Sequence, residues 1–188
     1  MVPLVVLSGP TAVGKGTVEK ALLKEHPEIW VSISATTRSP RAGEKDGRDY
    51  WFLSEEEFLK REKQGHFLET ALVHGMAHYG TPLQPVLDHI HREIPTLLEI
   101  DIQGARSVAR RAKELGIGLF SVFLAPPSFD SLVYRLNLRD TESPEQKARR
   151  LETAREEMSH EGEFDAVIVN DEVERAASSL WDIMKDLY

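Results

Sequence analysis

The chain has 188 residues, no cysteine and a formal net charge of −8, from 23 basic and 31 acidic residues. A chain of this length buries roughly 70% of the surface its unfolded form exposes, so a single core forms without disulfides or metal. Lack of cysteine excludes disulfide frameworks, thiolate metal sites and cysteine nucleophiles, and the acidic balance argues against a broad nucleic-acid-binding face while leaving room for a local basic pocket.

Leu4–Leu7 reads as a buried strand and Val18–Leu23 as the continuation of a helix opened by glycines. Met1–Leu7 has no basic head and is too short to span a bilayer, and no later stretch approaches 18 unbroken apolar residues, so a cytoplasmic protein without a membrane partner is expected. Trp30–Ile33 reads as a second strand, and Ser54 with Glu57 three residues later is a capping-box pattern opening a helix to about Gln64. Strand character near Tyr50–Leu53 and over Phe67–Tyr79 lies in a polar, turn-rich segment, Thr36–Tyr79, that looks inserted. Thr96–Ile100 is a third apolar strand, followed by a helix over Ala105–Leu115 that Gly116 ends. Leu119–Leu124 and Val167–Val169 complete the strands, and helices are expected near Ser128–Leu138, Pro144–His160 and Val173–Leu187. The alternation predicts a parallel α/β sheet with helices on both faces. Asn137–Glu145 is short and charged, contains Pro144, and reads as an exposed loop or lid.

Gly9, Pro10, Thr11, Ala12, Val13, Gly14, Lys15, Gly16 and Thr17 follow the first strand directly and open a helix. The spacing G-x-x-x-x-G-K is that of a phosphate-binding loop. Glycines let consecutive N–H groups converge on phosphate oxygens, the helix N-terminus adds positive potential, and Lys15 reaches the β- and γ-phosphates. Gly16 stands where Ser or Thr usually helps hold Mg²⁺, which leaves Thr17 to serve directly or through water. Further on, Arg38 and Arg41 flank Pro40, so an extended turn can aim both guanidinium groups at one anion. By the loop alone, pairing with Glu44 and Asp46 is an equal alternative. The histidines His74, His78, His89 and His91 form no recognisable metal motif and read as surface or turn residues.

Thr36–Glu44, Gly47-x-Asp49-Tyr50, Phe67-Leu68-Glu69, Tyr79-Gly80-Thr81, Ile100-Asp101-x-Gln103-Gly104, Ala125–Ser128 and Ile168–Asp171, in this order after Ser8–Pro10, resemble the guanylate kinase family of P-loop nucleoside monophosphate kinases. The resemblance runs from Leu4 to about Leu187. It implies one domain, with a parallel-sheet core at about 1–35 and 82–188, a GMP-binding lobe at about 36–81 and a lid at about 137–145. It implies the reaction ATP + GMP to ADP + GDP with Mg²⁺, ATP and GMP as partners, and leaves dGMP and the oligomeric state open. Ser34, Arg38, Arg41, Tyr50, Glu69, Tyr79, Thr81 and Asp101 match positions that hold GMP, the arginines and tyrosines at its phosphate and the carboxylates at guanine. An ionised carboxylate accepts hydrogen bonds only, which suits the N1–H and amino donors of guanine and not the N1 acceptor of adenine.

Glu99 stands where the family usually has Asp. One carboxylate of Glu99 and Asp101 would order the metal's water while the other faces guanine. Arg135, Arg139 and Arg150 match arginines that close over the transferring phosphate, with Lys15 completing the catalytic set, and Asn170 matches a position near adenine. The family's Gly-Arg-Gly reads Leu138-Arg139-Asp140 here, which restricts the backbone and adds a negative charge. Two rival readings remain: a non-catalytic guanylate-kinase-like binding module, and a kinase of the same fold for another nucleoside monophosphate.

Overall fold

The computed structural model describes residues 2–73, 76–137 and 144–188. In chain order its elements are β1 (Leu4–Ser8), α1 (Lys15–Glu25), β2 (Trp30–Val31), β3 (Ala35–Thr36), β4 (Trp51–Phe52), α2 (Glu55–Lys63), β5 (Phe67–Val73), β6 (Ala77–Pro82) and α3 (Leu83–His91). There follow β7 (Thr96–Glu99), α4 (Ile102–Leu115), β8 (Leu119–Ala125), α5 (Phe129–Asn137), α6 (Pro144–Met158), β9 (Ala166–Val169) and α7 (Val173–Leu187).

Five strands form a parallel sheet in the order β2-β7-β1-β8-β9. The central strand β1 is buried at every residue, as a parallel strand covered on both faces must be. Its alternation serves two layers. Val5 and Leu7 pack with Val18 and Leu22 of α1 and with Leu180 and Met184 of α7. Leu4 and Val6 pack with Val86 and Ile90 of α3 and with Val108 and Ala112 of α4. Each of the fully buried Val, Leu, Ile and Met side chains among these contributes about 1.5–3 kcal/mol relative to exposure. The loop after β1 therefore leaves the most constrained strand of the molecule, at the carboxyl edge where α/β sheets bind ligands.

A second sheet, β4-β3-β6-β5, is mixed: β6 runs antiparallel to both β3 and β5, while β3 and β4 are parallel. Phe58 of α2 is fully buried beneath it, stacked on Phe67 with ring centroids 4.5 Å apart and packed with Ala35 and Leu53.

Several sequence expectations change. The strand expected over Trp30–Ile33 pairs only at Trp30 and Val31. Phe67–Tyr79 is a hairpin of two strands rather than one run. The helix expected from Ala105 begins at Ile102, because the Asp101 carboxylate caps it by accepting from Gly104 N at 2.7 Å. Ser54 caps α2 by accepting from Glu57 N at 3.2 Å, but the reciprocal arm of a capping box is missing, since the Glu57 carboxylate turns to Arg61 at 2.7 Å. Helix α3 had no sequence prediction; Pro85 fits it because the first turn needs no intrahelical donor. His89 is not a surface or turn residue but lies on α3, stacked on Trp30 at 3.8 Å. His74 and most of the expected lid, 138–143, lie outside the described residues.

The second sheet has few large buried side chains, so Phe58→Ala removes much of its core. We expect a loss of about 3–5 kcal/mol, read as a lower midpoint in chemical denaturation.

Candidate functional site

The phosphate loop has the backbone that its glycines allow. Gly9 has φ +149°, and a Cβ there would stand 2.3 Å from Leu124 O of β8, a distance no side chain tolerates. Gly14 has φ +100° and caps α1, with Val18 N and Thr17 N donating to its carbonyl. Lys15 folds back and donates from Nζ to Gly9 O at 2.8 Å. It is half-buried rather than exposed. Burial pushes its pKa down, and the nearby carboxylates Glu99, Glu157 and Asp101 oppose that shift.

Neighbouring elements hold this loop from outside. Arg135 of α5 donates to Val13 O at 2.7 Å and to Asn170 O at 2.9 Å. Asn170, buried just after β9, donates from Nδ2 to the same Val13 O at 2.8 Å, while its Oδ1 is buried without a partner. Two side chains of α6 reach the loop tip: Arg150 Nη2 donates to Thr11 Oγ1 at 3.0 Å, and Glu157 Oε2 accepts from Thr11 N at 2.8 Å. Glu157 is pushed above the usual carboxylate range by burial, with the Thr11 amide and Lys15 opposing.

Beyond α1, Glu99 ends β7 with Oε2 only 3.3 Å from where a Cβ on Gly16 would lie. Glu19, one turn after Gly16, hydrogen-bonds the Glu99 carboxyl and is pushed up to about 8, first by burial and then by the Glu99 charge.

The second sheet carries the other predicted cluster. Arg38 pairs with Glu44 through both terminal nitrogens, at 2.8 and 2.9 Å. Glu44 also accepts from Arg41 N at 2.6 Å, and Arg38 above all holds its carboxyl down at about 2. Arg38 Nε donates to the Tyr79 hydroxyl at 3.1 Å, and its guanidinium lies 5.2 Å from the Tyr50 ring centroid. Tyr50 and Tyr79 meet edge to face. Glu69 and Thr81 are cross-strand partners on β5 and β6, and Thr81 Oγ1 donates to Glu69 Oε1 at 2.8 Å. Burial raises the Glu69 pKa, with Asp101 adding to the shift and Thr81 opposing it.

Two clusters therefore come near the carboxyl end of β7: the glycine loop after β1, where Lys15 feels Glu99 and Asp101, and the second sheet's arginine, two tyrosines and half-buried Glu69, which feels Asp101. Residues 1–187 match the profile of the guanylate kinase family.

The chain belongs to the guanylate kinase family.

The guanylate kinase of Bifidobacterium longum is 60% identical over 185 residues, covering 98% of this chain and 94% of that protein. That of Frankia casuarinae is 53% identical and covers 98% of each. The crystal structure of guanylate kinase from Anaplasma phagocytophilum matches with a TM-score of 0.78 at 35% identity, over 98% of this chain and 85% of that one. Within this guanylate kinase fold, the structure brings Gly9–Thr17, Arg135, Arg150 and Asn170 together around one loop, and Arg38, Tyr50, Tyr79, Glu69 and Thr81 around another site. Of the two partners that the loop alone allowed Arg38, it pairs with Glu44, and Arg41 contributes its backbone N–H to the same carboxylate. Asp46 takes no part, accepting instead from Phe52 N. Ser34 lies just before β3 and accepts from Trp51 N through its carbonyl. Arg139 lies outside the described residues. Sequence reasoning missed Glu19 and Glu157. Glu157 had a signal, being seven residues from Arg150 and so on the same face of α6.

Glu19 binds its proton more tightly folded than unfolded. Its stabilising contribution is complete below about pH 4.5 and is lost as pH rises toward about 8. Glu99 and Lys20 are the charges that act on it. Glu19→Gln keeps the shape and cannot ionise, so in metal-free buffer its Tm should fall less than the parent's across that range.

Proposed function

We propose that this member of the guanylate kinase family binds ATP on the Gly9–Thr17 loop and GMP against the second sheet, and passes the terminal phosphoryl group between them. The protein is an enzyme, a nucleoside monophosphate phosphotransferase. The observation that supports the site reading is that Lys15 of the glycine loop and Glu69 of the second sheet both feel the charge of Asp101, just past the carboxyl end of β7.

An oxygen of the GMP phosphate attacks the γ-phosphorus, the bond from that phosphorus to the ADP oxygen breaks, and GDP and ADP result. The second pKa of a phosphate monoester is about 6, so the attacking oxygen is largely ionised at neutral pH and no general base is needed. The residues instead position two polyanions and stabilise charge on the group in transfer. The loop amides and Lys15 address the ATP phosphates. Arg135 and Arg150 hold the loop in shape and stand beside them. The unpartnered Asn170 Oδ1 suits a donor such as the adenine amino group.

On the acceptor side, Tyr79 accepts from Arg38 and so keeps its own O–H for the GMP phosphate, with Tyr50 beside it. Arg38 meets that phosphate by exchanging part of its pair with Glu44, and Arg41 adds its side chain. Glu69, with Thr81 and Ser34, reads guanine. Asp101 uses one oxygen on Gly104 N and keeps the other for the base.

Among the described residues no group of three or more acidic or histidine side chains could hold a metal alone. That fits Mg²⁺ arriving on nucleotide phosphates with several waters of its own. The Glu99 carboxylate over Gly16 and the exposed Thr17 hydroxyl are the oxygen donors nearest the loop, and when bound Mg²⁺ neutralises charge on the β- and γ-phosphates. Among the described residues no helix is long and apolar enough to cross a membrane, and the reading puts the reaction in the cytoplasm.

Coupled measurement of ADP formation with GMP, dGMP, AMP, UMP and CMP tests the reading, which predicts strong preference for the guanine nucleotides. Lys15→Met should lower kcat by at least ~10², about 2.7 kcal/mol of transition-state stabilisation, with its Tm near the parent's. Glu69→Gln should lower kcat/KM for GMP strongly and for AMP little. An unchanged GMP/AMP ratio would remove Glu69 from the guanine site.

A further inference from the structure

Gly16 and Glu99 fill one another's space. A Cβ on Gly16 would lie 3.3 Å from Glu99 Oε2, close enough that the carboxylate would have to shift. Gly16 is not needed for its backbone. It lies in the first turn of α1 and is absent from the glycines with positive φ. Glycine in a helix is a loss relative to alanine, so the position is small for what lies over it, and what lies over it is Glu99. The same glycine removes the hydroxyl that a phosphate loop ordinarily carries after its lysine.

We infer that Glu99 takes the place of that hydroxyl: its carboxylate, seated over Gly16 at the start of α1, faces the divalent metal of the bound nucleotide, and residues 16 and 99 work as one unit. The inference rests on the Mg²⁺–ATP reading above. The matching is one of reach. Glutamate is longer than aspartate by one methylene, a bond of roughly 1.5 Å. With a side chain at position 16 that carboxylate would have to give by a few tenths of an ångström. A serine hydroxyl with a shorter aspartate would fill the same space, and either change alone leaves the two less well matched.

The two solutions differ in charge. A hydroxyl is neutral, whereas an ionised carboxylate accepts only and carries a full negative charge. Oxygen is the donor Mg²⁺ takes. A carboxylate at this place therefore attracts a metal-loaded nucleotide and repels the same nucleotide without metal. A side chain that merely packed against Gly16 would not separate those two affinities.

The test is calorimetric binding of ADP and of a non-hydrolysable ATP analogue, with Mg²⁺ and with chelator, to the parent, Glu99→Gln, Glu99→Asp, Gly16→Ser and the Gly16→Ser/Glu99→Asp double variant. Melting curves for each confirm folding. In the parent, Mg²⁺ should tighten binding; a parent indifferent to Mg²⁺ would defeat the metal reading itself. Glu99→Gln preserves the shape, so its Tm should stay near the parent's. Its affinity should weaken with Mg²⁺ and strengthen with chelator, shrinking the ratio of the two by ~10-fold or more. Gly16→Ser and Glu99→Asp should each reduce that ratio, and the double variant should recover most of it. A parent that responds to Mg²⁺ beside a Glu99→Gln variant with an unchanged ratio would overturn the inference alone. So would a double variant whose loss equals the sum of the single losses.

Discussion

A glycine-rich loop between a strand and a helix satisfies only part of its hydrogen bonding within itself, through Val13 N on Pro10 O and Thr17 N on Gly14 O, and the rest of its hold must come from its neighbours. The loop must be held mainly through its carbonyls and its close approach to neighbouring backbone. Val13 O is bonded twice, by Arg135 and by Asn170, and Gly9 O is bonded by Lys15. Gly9 itself presses on Leu124 O so closely that only a hydrogen fits. These contacts come from α5, from the end of β9 and from β8. The loop's shape is thus set by the packing of the parallel sheet. Glu157 is the exception that fits the rule: as a carboxylate on Thr11 N, it satisfies a loop donor from outside.

Charge is distributed by the same logic. The chain is acidic overall, yet a polyanion must be drawn to it. The structure clusters carboxylates around Lys15, where their field opposes the loss of its proton on burial. In the second sheet, Arg38 is neutralised in place by Glu44, and its aromatic neighbours Tyr50 and Tyr79 fix its plane. A side chain so held has already lost the rotamer freedom that binding a ligand would otherwise cost. The pairing also holds the guanidinium over the Tyr50 and Phe52 rings.

The half-buried carboxylate of Glu69 shows a third use of packing. It sits on a hairpin strand, directly opposite Thr81, whose hydroxyl takes one of its oxygens. Phosphate contacts do not distinguish nucleotides, so discrimination falls to groups of this kind, where a mismatched partner leaves a desolvated acceptor unpaired.

Local features were legible from the sequence by itself. The phosphate loop is contiguous, and its strand–loop–helix setting is written in apolar runs and glycines. Most of the order of strands and helices, with α3 and the β5–β6 turn excepted, and the Ser54 cap and the Gly116 stop are likewise short-range, so periodicity and capping chemistry are enough to find them. The residues matched to GMP were legible only through resemblance, because nothing local ties Arg38 to Tyr79 or Glu69 to Thr81. Only the tertiary structure decided the partners. It gave Asp101 to the start of α4, Arg38 to Glu44, Glu157 to the loop tip and Glu99 to the space above Gly16. Each of the last two joins residues far apart in the chain, 146 and 83 positions respectively. Such contacts depend on which strands lie side by side and how the helices pack over them, and strand order leaves no periodic trace in the sequence.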